Sequence, residues 1–143
     1  MRVALDYAEG LGDEVRCNAA LQLAEQLPVA SVVLPVQTLG ELMRALTGKA
    51  RRPSTAARDA VLGWADSFEA ADSSWTAFQA ALDLVVDHQL PMRDALVLAV
   101  AAEHRCRLLL SEDFQNSFTW RGVTVVDPFA TARSPLLGGL LPC

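Results

Sequence analysis

At 143 residues the chain is the size of one domain with one hydrophobic core, and residues 1–143 are expected to fold as a unit. A content of 52% hydrophobic and 20% charged residues supplies a normal core and excludes a largely disordered chain. The formal net charge of -5 argues against indiscriminate binding to polyanions, so any nucleic-acid contact should be local or assisted by metal ions.

Short apolar runs alternate with longer segments of helical period, which predicts an α/β fold with a mainly parallel central sheet covered by helices. Val3-Ala4-Leu5 reads as a short buried strand. Asp13 to Leu27 reads as a helix with Val15, Ala19, Leu23 and Leu27 near one face. Ser31 to Leu34 is the second predicted strand. Pro35 suits the first turn of the following helix, whose stripe is Val36, Leu39, Leu42, Met43 and Leu46, with Thr47-Gly48 as its end. A basic linker leads to a helix from Ser54 carrying Ala57, Val61, Trp64 and Phe68. Asp72-Ser73-Ser74 predicts a turn and cap before a helix with Trp75, Phe78, Leu82 and Val85, and these aromatic residues are expected in the core. Pro91 precedes a helix from about Met92 to His104 that is apolar all round and should be buried. Arg107 to Leu110 and Val123 to Val126 complete the predicted strands.

The longest apolar run, Ala95 to Ala102, is far short of the roughly 20 residues that cross a bilayer. Asp6 and Glu9 interrupt any signal-peptide pattern, so a soluble, cytoplasmic protein without membrane contact is expected. Cys17, Cys106 and Cys143 are odd in number and widely spaced, and with His88 and His104 they make neither a disulfide framework nor a zinc motif. No Ser-His-Asp or Cys-His arrangement stands out either.

Ligands of open parallel sheets sit beyond the carboxyl ends of the strands, which directs attention to acidic residues there. Asp6 follows the first predicted strand, Asp113 follows Leu108 to Leu110 by three positions, and Asp94 opens the buried helix. Glu41 points away from its helix's apolar stripe, toward solvent or a cleft. Singly, each aspartate is better explained by capping a helix than by holding a metal, and Glu41 by an exposed pair with Arg44. Together the four would suit a hard divalent cation such as Mg2+ or Mn2+, which prefers oxygen ligands and can activate water for attack on a phosphodiester.

In this order and setting the four residues resemble the PIN-domain ribonucleases, in particular the toxins of VapBC-type toxin-antitoxin pairs. The resembling motifs are Val3-Ala4-Leu5-Asp6, Thr38-Leu39-Gly40-Glu41-Leu42, Asp94-Ala95-Leu96-Val97-Leu98-Ala99 and Leu109-Leu110-Ser111-Glu112-Asp113-Phe114. The resemblance runs almost to the end of the chain, through Val125-Val126-Asp127-Pro128-Phe129. It implies a PIN-like three-layer sandwich and a Mg2+- or Mn2+-dependent endoribonuclease in which Asp6, Glu41, Asp94 and Asp113 are catalytic metal ligands. It also implies an RNA substrate, an antitoxin partner and a homodimer. The family usually follows its first Asp with Ser or Thr and then Asn, whereas Asp6 here runs straight into Tyr7-Ala8-Glu9-Gly10. About five residues are missing by that comparison, more than one helical turn. The alternative expectation is therefore a catalytically impaired module that binds an antitoxin or dimerises.

Arg44, Lys49, Arg51, Arg52 and Arg58 form the most basic stretch, without an acidic residue from Arg44 through Arg58. It is expected either to contact RNA phosphates or an antitoxin, or to be a solvated loop. Leu136, Leu137, Leu140 and Leu141 in the tail would pack on a partner or back onto the chain.

Overall fold

The computed structural model describes residues 8–111 and 118–129. The predicted strand Val3 to Leu5, Asp6, Asp113 and the leucines of the tail lie outside the described residues. Helix α1 (Glu14–Gln26) leads through a 3-10 turn (Val29–Ser31) into β1 (Val33–Pro35). Helices α2 (Val36–Gly48) and α3 (Ser54–Ser67) follow, then β2 (Glu69–Ala71). Helices α4 (Trp75–His88) and α5 (Met92–Glu103) precede β3 (Leu108–Leu110), β4 (Thr119–Trp120) and β5 (Val123–Val126).

Local chemistry explains most of the boundaries. Asp13 caps α1 by accepting the Arg16 N–H at 2.9 Å, and Ser74 caps α4 by accepting the Ala77 N–H at 3.0 Å. Helices α2, α3 and α5 each start directly after a proline, which fixes φ and has no N–H to leave unpaired. Left-handed Gln89 ends α4, and Pro91 then prevents it from continuing. β4 and β5 are joined by Arg121-Gly122, both at positive φ (46° and 82°), as a two-residue hairpin turn requires.

β1 pairs with β2 in parallel, with Leu34 opposite Ala70. β3 pairs in parallel with β5, with Leu109 opposite Val125, and β4 adds to β5 antiparallel. Alternation along these strands builds two cores. Leu34, Leu110 and Val126 join α1, α2 and α3 in one cluster, whereas Leu109, Val123 and Val125 face the other way into α4 and α5. Helices thus cover both faces, and the α/β reading with a parallel sheet holds. α5 touches β1, β3 and β5 as well as α4, and Ala95, Val97, Leu98, Ala99, Val100 and Ala101 are all buried, as its uniform apolarity requires. Among the described residues no helix is long and apolar enough to cross a membrane.

Several expectations are corrected. The second strand begins two residues later and ends one residue later than Ser31 to Leu34, because Val29–Ser31 closes a 3-10 turn whose last N–H, that of Val32, bonds back to Val29. β2 and β4 were not expected, since two or three residues give no readable alternation. Leu23 and the C-cap Leu27 are buried as expected, but Val15 is exposed, Ala19 only partly covered, and α1 buries Ala20 in their place. The larger correction concerns α4, where Trp75, Phe78 and Leu82 are 67%, 37% and 45% exposed. The buried side is Ala77, Ala81 and Leu84, with Val85 only partly covered. α4 is apolar on two sides, and the side with small residues permits close approach to the alanine-rich α5.

Two leucines two positions apart on α4 therefore test the assignment. Leu84→Ala should cost about 2–5 kcal/mol in denaturant unfolding. Leu82→Ala should cost about 0.5 kcal/mol or less. Equal losses would return the Trp75, Phe78, Leu82 side to the core.

Candidate metal centre

Helix α2 starts where β1 ends, so its first turns stand at the carboxyl edge of a parallel strand. Gln37 and Glu41 are four residues apart and share one side of the helix, while Leu39, Leu42 and Leu46 are buried on the other. Helix α5 brings its own N-terminus to the same place. The Gln37 Nε2 donates to the Arg93 carbonyl at 3.2 Å and ties the two helix starts together. Asp94 is the third residue of α5, where a carboxylate meets the positive end of the helix dipole. Pro91, not Asp94, occupies the N-cap position.

The two acidic side chains converge on one cation. Arg93 Nε lies 3.9 Å from Glu41 Oε1 and 3.8 Å from Asp94 Oδ1. The Glu41 and Asp94 side chains are 19% and 15% exposed and that of Arg93 50%, so the acids are recessed while the cation reaches solvent. Glu41 is therefore partly withdrawn from solvent, and its ion pair crosses to another helix. Sequence reasoning missed Arg93 and Gln37, although an arginine next to a predicted ligand was a signal that could have been weighed.

Among the described residues no group of three or more His, Cys, Asp or Glu side chains is arranged to hold a metal. The described contribution is the Glu41–Asp94 pair. Mg2+ is commonly held by one or two carboxylates together with waters, so a recessed pair of hard oxygen donors already sharing a cation fits such an ion. Asp6 and Asp113, expected as the other ligands, lie outside the described residues.

A second polar cluster was not foreseen. Glu9 accepts from Arg52 Nη1 at 2.7 Å and from Trp64 Nε1 at 2.6 Å, while Arg52 Nη2 donates to the Glu9 carbonyl at 2.5 Å. Trp64 in turn stacks on Phe68 at 6.2 Å between ring centroids. The cluster fastens the segment three residues after Asp6 to α3 and its preceding loop. No spacing in the sequence announces a contact between positions 9 and 52. Of the other basic residues, Arg44, Lys49 and Arg51 are exposed without an ion pair among the described residues, and Arg58 pairs with adjacent Asp59 at 3.4 Å.

Cys106 is no rival nucleophile. Burial, and then the Glu69 carboxylate, push its thiol above the ordinary range, so the thiolate is scarce at neutral pH.

A family model described as PIN domain matches residues 3–117 of the chain, a span that includes all four acidic candidates. No curated protein matches it.

The Glu9 cluster makes a prediction of its own. Arg52→Ala should destabilise the fold by about 1–2 kcal/mol, since it leaves a largely covered carboxylate short of its charged donor. Trp64→Phe keeps the aromatic packing, loses one hydrogen bond and should cost about 1 kcal/mol. Unfolding midpoints unchanged in both variants would show the cluster to be energetically idle.

Proposed function

This chain belongs to the PIN domain family, whose members are generally nucleases that use divalent metal ions, and we propose that it is a Mg2+- or Mn2+-dependent endoribonuclease acting as the toxin of a VapBC-type toxin-antitoxin pair. The observation that supports this reading best is the convergence of recessed Glu41 and Asp94 at the carboxyl edge of β1. In this reading Glu41 and Asp94 hold the ion together with Asp6 and Asp113. When bound, such an ion lowers the pKa of a water and neutralises charge developing on the phosphodiester. The side chains of Glu41 and Asp94 orient that site, with Asp94 in the first turn of α5. The chain then needs no nucleophile of its own, in keeping with the raised thiol of Cys106.

RNA is attracted by Arg44, Lys49 and Arg51, which lie beyond Glu41 toward the end of α2 and into the next loop. Lys49 is eight residues past Glu41, about 12 Å along a helix axis, within reach of a strand running through the cleft. Arg52, also expected as an RNA or antitoxin contact, has its guanidinium engaged by Glu9 and is the weaker contributor in this reading. The protein partners are an antitoxin and a second copy of the chain. The exposed Trp75, Phe78, Leu82 and Val86 on α4 support a protein contact, since such apolar stripes are uncommon on monomer surfaces.

Two measurements test the reading. Asp94→Asn and Glu41→Gln should each lower Mn2+-dependent RNA cleavage by about a hundredfold or more, as expected for loss of several kcal/mol of metal-assisted stabilisation. Unchanged cleavage in Asp94→Asn would overturn the site, and Mn2+ binding without cleavage in wild type would favour the impaired, partner-binding alternative. Separately, Lys49→Ala and Arg51→Ala should each flatten the log-log salt dependence of RNA binding by about 0.7 without changing the melting temperature. A slope that does not move would leave the basic loop merely solvated.

A further inference from the structure

We infer that Arg93 is a built-in counter-cation of this site, holding Glu41 and Asp94 together in the metal-free protein and competing with a divalent ion for them. The inference rests on the metal-centre reading above.

The geometry is that of a placeholder and not of a fixed bridge. At 3.9 and 3.8 Å the Arg93 Nε is in ion-pair range of both carboxylates but outside ordinary hydrogen-bond length, and the pairs lack the short contacts of a forked guanidinium grip. An ion such as Mg2+ would take up the negative charge of these carboxylates, and its own positive charge would repel a guanidinium held against them. Arg93 is free to withdraw. Its side chain is 50% exposed, and a long arginine stem can carry its head into solvent. Its backbone meanwhile stays in place, because the Gln37 Nε2 holds the Arg93 carbonyl. The anchoring of the two helix starts is thus separate from the neutralising charge. Two recessed carboxylates from different helices would repel each other without a cation, and Arg93 relieves that repulsion until a divalent ion does so more strongly.

The sign of the effect distinguishes this role from that of a ligand or an RNA contact. Titration of the full chain with Mn2+, followed by calorimetry and by thermal shift, should show Arg93→Gln binding the ion roughly three- to tenfold more tightly than wild type, the scale of losing two partly screened ion pairs. In EDTA the same variant should melt slightly lower than wild type, and its gain on adding Mn2+ should be larger. Arg93→Lys keeps the charge and should bind within about twofold of wild type. Equal or weaker Mn2+ binding by Arg93→Gln, with wild type binding normally, overturns the counter-cation role alone. Failure of wild type to bind Mn2+ at all overturns the metal centre, and this inference with it.

Discussion

Because α5 is apolar around its whole circumference, it has to be enclosed by other elements, and that enclosure decides where everything polar at its start must lie. The helix meets α4 on one flank and β1, β3 and β5 on others, so almost every side chain from Ala95 to Ala101 is out of water. Its first turn cannot move without breaking those contacts. Asp94, in that turn, is therefore delivered to the carboxyl edge of β1, where α2 presents Glu41. The site owes its geometry to a hydrophobic constraint more than to attraction among its charged groups, since the two carboxylates by themselves would separate.

Placing like charges together has a cost that the surroundings must offset. Arg93 offsets it electrostatically, the Gln37 hydrogen bond offsets it mechanically, and the dipole of α5 adds a smaller contribution. The Glu9, Arg52 and Trp64 cluster follows a different logic, since each donor there has a matched acceptor and the group is complete as it stands. One polar cluster is thus poised to exchange its cation, whereas the other is a tether. Two arginines from one acidic protein serve opposite ends, and only the distances and exposures separate them.

The surface of α4 has its own consequence. Trp75 and Phe78 stack on each other at 5.6 Å between centroids, yet Trp75 remains largely in solvent and Phe78 partly so. Stacking lessens their exposed area without removing it. Large aromatic groups left in this way, in line with Leu82 and Val86, are what a protein partner would cover.

The sequence by itself determined the alternation of helices and strands, the burial of the Met92 helix and the succession of acidic residues after apolar elements. Each of these follows from local periodicity and from neighbours a few positions away. Val123 to Val126 was legible to the residue because four consecutive β-branched residues end in Asp-Pro. The tertiary structure alone decided which side of α4 faces inward, since both sides are apolar and the choice depends on the volume left by the alanines of α5. It also decided that Glu41 pairs with Arg93 and that Arg52 reaches back to Glu9. Those pairings join residues 52 and 43 positions apart, and no local pattern encodes a contact that exists only after two helices have been packed onto a sheet.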